Sequence, residues 1–319
     1  MHQIYLKGKV LFVFSDPGGA KPILSLIENE NLSDSVVISD RIYPFFKDFR
    51  SRVEPCNEEV ETIIDKYKPD LIYTGTSYSS NIEKKFIRFA VLNGIQSVSF
   101  IDHWTSMRKR FEDEKGSLIL PDQIAVIDER AKQIAINEGL DENRIAITGN
   151  PYHKWLSRWK PIVTKQEFLH SIGLDKLNKK IALYAPDPLS NVNGFSTFGF
   201  DEISSTKEII EAISEESNIC HDWIILIKAH PNQNLNKLKS LLVNNDMFKL
   251  LPPEIDTNTC IFYSDIIIGF FSSLLIEANI LKKNIFRYLP LELKNDPIQE
   301  LNIGSIVNKQ SLISLLNSV

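Results

Sequence analysis

The stretch Val10-Leu11-Phe12-Val13-Phe14-Ser15-Asp16-Pro17-Gly18-Gly19-Ala20 decides the fold class. Five apolar residues, too few for a helix, run straight into a Pro-Gly-Gly turn, and a helical pattern over residues 21–28 follows. That is one strand–turn–helix step, and it recurs. Strand-like runs at 35–38, 71–74, 97–101, 123–126 and 144–148 alternate with helical stretches at 57–66, 82–93 and 129–138, the last closed by Gly139. Such alternation predicts a parallel sheet with crossover helices.

Gly149-Asn150-Pro151 ends this series, and WLSRWKPIVTKQEFLHSIGL (155–174) reads as a helical, linker-like stretch. A second α/β series follows, with a strand at 180–185, a helix at 205–215, a strand at 223–228, apolar runs at 261–263 and 266–268, a helix at 273–280 and a strand at 285–288. The expected organisation is a Rossmann-like domain over 1–155, a linker over 156–178 and a second Rossmann-like domain over 179–319. A chain of 319 residues suits two domains.

The composition narrows the function. With 36 Lys+Arg against 41 Asp+Glu the net charge is −5, which argues against gripping a nucleic-acid backbone. Cys56, Cys220 and Cys260 are odd in number and far apart, so reduced thiols in a cytoplasmic protein are expected. No signal peptide is expected, and no apolar run approaches the roughly 20 residues of a membrane span.

In open parallel sheets ligands bind beyond the carboxyl ends of the strands. After the first strand, Asp16, Gly18 and Gly19 leave backbone N–H groups open at a helix start, suited to an anion or to close approach of an acceptor. The loop matches neither the dinucleotide fingerprint nor a Walker A loop, and a structural tight turn is the alternative. The run ending at Ile101 leads to Asp102-His103-Trp104-Thr105 and the basic residues Arg108-Lys109-Arg110. A carboxylate beside an imidazole supplies a candidate general base with a neighbour to orient it, against the plainer reading of Asp102 as a cap. In the second half, His230-Pro231 follows WIILIKA, and Ser272-Ser273 open an apolar helix carrying Glu277. Serine hydroxyls and free N–H groups at a helix start suit a phosphate, and Glu277 one turn later suits sugar hydroxyls.

These pairs carry a resemblance. His230-Pro231 and Ser272-Ser273 look like the HP and SS/ST motifs of bacterial sialyltransferases and related Kdo transferases, and the second half resembles the nucleotide-binding domain of GT-B-fold transferases. Ala182-Leu183-Tyr184-Ala185-Pro186, Tyr263 through Ser273 and Leu281-Lys282-Lys283 are similar to stretches of the CDP-glycerol glycerophosphotransferases. Asp102-His103-Trp104-Thr105 resembles their Trp-His-Gly-Thr-Pro motif. Two departures stand out: a single acid followed by His103 where the sialyltransferases carry an acidic pair and glycine, and Pro186-Asp187-Pro188 after the Tyr-Ala-Pro stretch.

The resemblance implies an α/β protein of GT-B type, two Rossmann-like parallel-sheet domains facing a central cleft. It also implies a metal-independent, inverting glycosyltransferase that moves a sialic-acid-like or Kdo-like sugar from a CMP donor to a glycan or lipid-linked glycan in surface polysaccharide biosynthesis. Asp102, His103 and His230 would be catalytic. His230, Pro231, Ser272, Ser273, Glu277, Tyr184 and Pro186 would hold the nucleotide, and Asp16, Gly18, Gly19 and Arg108 the acceptor. No metal and no cofactor beyond the nucleotide-sugar is expected, since the carboxylates form no DxD or ligand cluster. Transient docking at the inner face of a membrane would suit a lipid-linked acceptor, though no amphipathic anchor stands out. The alternatives are a CDP-polyol phosphotransferase, a UDP-sugar transferase or epimerase on the same fold, and a non-catalytic nucleotide- or glycan-binding protein.

Overall fold

Short apolar strands buried on both faces organise both halves of the protein. In a computed structural model that describes residues 6–32, 34–175, 178–230, 233–243, 245–293 and 296–318, the chain forms two compact units, Met1–Arg158 and Trp159–Val319.

The first unit contains β1 (Val10–Phe14), β2 (Val36–Ser39), β3 (Val53–Pro55), β4 (Leu71–Thr74), β5 (Gln96–Ile101), β6 (Gln123–Val126) and β7 (Ile145–Ile147). All pair parallel in the order β3-β2-β1-β4-β5-β6-β7. Both faces are covered, as a parallel sheet requires. Phe12 and Phe14 pack with Ala20, Ile23, Leu24 and Ile27 of the helix Pro17–Glu30 on one face. Leu11 and Val13 point the other way, into Ile63, Ile64, Phe86 and Ala90 of the helices Val60–Tyr67 and Ile82–Asn93.

The second unit contains β8 (Lys180–Ala185), β9 (Trp223–Ile227), β10 (Phe248–Leu250), β11 (Ile266–Gly269), β12 (Asn284–Tyr288) and β13 (Ser305–Val307), parallel in the order β10-β9-β8-β11-β12-β13. This repeats the order of the first sheet, less its last strand. Each unit therefore has one point where consecutive connections leave in opposite directions, between β1 and β4 and between β8 and β11, the place where ligands bind in open parallel sheets.

Several expectations are revised. Ile261–Tyr263, expected among the apolar runs of the second sheet, ends a helix, Thr257–Tyr263, whose first turn is capped by Asp256. The edge strands β3, β10 and β13 are additions to the expected series. The stretch 156–178, expected as a linker, carries the helix Lys165–Ser171, capped by a reciprocal Thr164–Glu167 box. Phe168, Leu169 and Ile172 there are buried in the core of the second unit. Among the described residues, no helix is long and apolar enough to cross a membrane.

Candidate functional site

In the first unit the loops after β1, β4 and β5 meet at the switch point. Asp16 stands at the N-cap of its helix but does not cap it. Its carboxylate instead crosses to the β4 loop, accepting Tyr78 N–H (3.0 Å) and Ser79 Oγ–H (2.5 Å), and pairs with Arg41 (3.0 Å). Beneath it lies Glu83, 2% exposed, which accepts Ser15 N–H (3.0 Å) and the hydroxyl of Ser77, while Ser77 Oγ accepts Asp16 N–H (2.9 Å). Burial pushes the Glu83 carboxyl up to about 7, against the opposing pull of the Ser77 and Ser15 hydrogen bonds.

A raised acid pKa means that the folded protein holds a proton which the unfolded chain, with its ordinary value near 4.5, has released. The first unit is thus expected to lose stability as pH rises from about 4.5 to about 7, on the order of 3 kcal/mol across that window. Thermal melts of the protein and of Glu83→Gln across the window check this. The slope should shrink in the variant, the raised Asp187 carboxyl of the second unit leaving part of it, and an equal slope in both would refute it.

Gly18, Gly19 and Asp102 are brought together. A Cβ on Gly18 would collide with the Asp102 carboxylate, 2.9 Å from its Cγ, and one on Gly19 would lie 3.0 Å from Gly75 Cα, so two loop backbones touch with no side chain between them. Asp102 is paired with Arg110 (3.3 Å), whose side chain is 7% exposed and which also donates to Thr76 O (3.0 Å) and Thr76 Oγ1 (3.2 Å) and lies over the Tyr78 ring. Arg110 thus fixes the carboxylate against the glycine loop from the opposite side. Sequence reading places Arg110 in a basic run open to an acidic glycan, an anionic lipid or plain solvent, and does not pair it with Asp102. Its signal is its place eight residues after an acid at a strand end.

His103 turns away from this group. Its Nδ1 shares a hydrogen bond with Thr105 Oγ1 (3.1 Å) and its ring meets the edge of Trp104. The ring reaches solvent, yet crowding by protein atoms lowers its pKa, with Arg110 and Arg130 adding to the effect and Asp102 opposing it. Arg108 is likewise not gathered in: its guanidinium pairs with Glu112 (3.0 Å) and its N–H donates to Glu138 (2.9 Å).

In the second unit the switch point lies between Pro186-Asp187-Pro188, after β8, and Phe270–Ser273, after β11. Asp187 Oδ2 accepts Phe271 N–H (3.1 Å), tying the two loops together. Burial raises the Asp187 carboxyl to about 6, with the N–H groups of Phe271, Asp187 itself and Phe270 and the charge of Arg287 pulling it down. Ser272 is the N-cap of the helix Ser273–Ile280; its Oγ is buried without a hydrogen-bond partner among the described residues, while Ser273 is exposed and Glu277 half-buried. Arg287 on β12 supports the loop from behind, donating to Phe270 O (2.9 Å) and forming a two-pronged pair with Asp296 (2.7 and 2.5 Å).

After β9, His230 is exposed; its N–H donates to Gln233 Oε1 (3.0 Å), and crowding lowers its pKa. Pro231 lies outside the described residues. Two residues earlier Lys228 is buried, its ammonium donating to the carbonyls of Pro252 (3.3 Å), Pro253 (2.9 Å) and Ile255 (2.6 Å). Tyr184 requires a correction. It is fully buried between β8 and the helix Glu202–Ser214, its hydroxyl accepting from Thr206 Oγ1 (3.3 Å), so its side chain has no surface to offer a nucleotide. Pro186 is buried as well.

No protein-family model and no curated protein matches the chain. Solved structures do. The UDP-GlcNAc 2-epimerase from Methanocaldococcus jannaschii is 17% identical with a TM-score of 0.67 over 98% of this chain and 92% of that one. The UDP-GlcNAc 2-epimerase from Neisseria meningitidis bound to UDP-GlcNAc is 16% identical, TM-score 0.63, over 98% and 91%. Anabaena HepE in complex with UDP-glucose is 13% identical, TM-score 0.63, over 97% and 89%. At such identities the likeness is one of fold, and the fold is GT-B-like, two Rossmann-like parallel-sheet domains. The expected narrower likeness to CMP-sugar transferases has no counterpart among these neighbours.

Proposed function

We propose that the chain is an enzyme acting on a UDP-sugar, in place of the CMP-sugar that the sequence motifs imply. What supports the uridine nucleotide is the match in fold over 97–98% of the chain to proteins described with UDP-GlcNAc or UDP-glucose bound. In this reading the second unit holds the nucleotide, with N–H groups and hydroxyls at Ser272 and Ser273 and the imidazole of His230 on the diphosphate and Glu277 on the ribose. The first unit supplies the acid–base group. Asp102, held by Arg110 on one side and packed against the bare backbone of Gly18 on the other, is the carboxylate this reading assigns to proton transfer.

Epimerisation of the sugar is the form of the reaction that the epimerase-like fold favours. Transfer to a glycan hydroxyl is the other, with Asp102 as the base that takes the hydroxyl proton. Products separate them: epimerisation yields a second UDP-sugar without any acceptor, and transfer releases UDP only when an acceptor is supplied.

The donor is tested by thermal shift with UDP-GlcNAc, UDP, CMP, CDP and GDP. A ligand at 100 times its dissociation constant stabilises the state it binds by about 2.7 kcal/mol, enough to raise the melting temperature by several degrees. The uridine nucleotides are expected to do so. Stabilisation by CMP with none by UDP would return the donor to the cytidine class.

A further inference from the structure

The loop after β8 is where the sequence departs from the families it resembles, and the structure puts an acid there, at the second switch point. The geometry points to Asp187 as a proton-accepting residue of the nucleotide site, one that takes up a proton when the diphosphate of a nucleotide-sugar settles at Ser272 and Ser273. This rests on the reading of those serines as the diphosphate seat.

Asp187 Oδ2 accepts Phe271 N–H, the amide immediately before Ser272, so a carboxylate already occupies the approach to the helix start. Ser272 Oγ is left buried and unpartnered among the described residues beside it. A dianion arriving there meets a half-buried carboxylate that is poorly solvated and close by, and two anions within a few ångströms cannot both stay fully charged. The carboxyl starts from about 6, so the shift needed to protonate it at neutral pH is small. The groups facing it are Tyr184 on β8, which stays neutral, and Arg287 on β12, whose charge is shared with Asp296. The proton comes from solvent and goes to an Asp187 oxygen. There it turns a repelling acceptor into an O–H donor for a phosphate oxygen, and no bond other than that O–H is made.

The probe is UDP-GlcNAc, whose diphosphate, being esterified at both ends, does not titrate near neutral pH. Isothermal calorimetry at pH 7 in buffers of different ionisation enthalpy should show uptake of up to one proton per ligand bound. Affinity should weaken toward tenfold for each pH unit above the resting pKa. Asp187→Asn keeps an acceptor for Phe271 N–H and should bind with no uptake and a flat pH profile. His230, the imidazole assigned to the same diphosphate, is controlled by His230→Gln, which should bind more weakly yet keep the uptake. Should the Asp187 variant not fold, the His230→Gln result decides alone. Binding without buffer-dependent heat, uptake unchanged in Asp187→Asn, or uptake lost in His230→Gln overturns the inference and leaves the uridine reading standing. No binding of UDP-GlcNAc at millimolar concentration overturns both.

Discussion

Gly18→Ala is expected to lower turnover of a UDP-sugar by about 10²-fold or more while leaving nucleotide binding unchanged. The added methyl would enter the space that the Asp102 carboxylate occupies, 2.9 Å from Cγ, and Asp102 cannot simply swing away, because Arg110 holds it from the far side and is itself held by Thr76. The conflict must be relieved by moving the carboxylate or the loop, and a displacement near 1 Å of a group that handles a proton costs on that scale. Gly18 has no left-handed backbone angle, so the effect is one of space alone. Asp102→Asn, which fits without strain, sets the reference for a carboxylate lost outright. Both are read from turnover and from the Kd for UDP, the latter reporting on the second unit. Near-normal turnover in Gly18→Ala would show that Asp102 handles no proton in the reaction.

The largest effect on stability is expected from Arg287→Met. The Arg287–Asp296 side chains are 4% and 7% exposed, and the guanidinium meets the carboxylate through both prongs. Burial alone would raise Asp296, but hydrogen bonds from Arg287 and Ile298 N–H, with the arginine's charge, outweigh it and hold the acid below its ordinary value. Removing the arginine leaves a buried carboxylate with no counter-charge and Phe270 O without its donor, a loss of about 3–5 kcal/mol. Denaturant unfolding of the second unit measures it. Arg287→Met/Asp296→Leu should regain most of the loss, since an apolar pair of similar volume carries no desolvation penalty. The pair also gives an acid limit. With the folded pKa depressed, its stabilisation is complete above the unfolded value near 3.8 and disappears as pH falls through the folded one. A double variant no more stable than Arg287→Met would mean that the loss came from packing rather than charge.

Much of this molecule is legible in its apolar runs. VLFVF and WIILI are short, continuous and apolar because both faces of a parallel sheet are buried, and such runs announce themselves. For the same reason alternation does not say which face Tyr184 joins; it is flanked by Leu183 and Ala185, equally apolar, and only the packed sheet shows it pointing into the core. Edge strands such as Val53–Pro55 and Phe248–Leu250 are three residues long and lack an apolar run, so nothing local marks them. Asp16, Gly18 and Asp102 stand out one by one from their places after strands. That Gly18 exists to make room for Asp102, or that Arg110 rather than Arg108 turns inward, depends on contacts across 84 and eight residues of sequence, which pattern does not resolve.

Lys228 has a consequence for the histidine that follows it. Its ammonium is an internal cation in a basket of three carbonyls, from Pro252, Pro253 and Ile255, and so it joins the end of β9 to the turn beyond β10. The outermost strand of the sheet therefore cannot slide along its neighbour without dragging this ion, and with it the peptide that carries His230. A planar guanidinium would not fill a basket arranged around a point charge. The sheet's rim and its imidazole form one mechanical part, hinged on a single lysine.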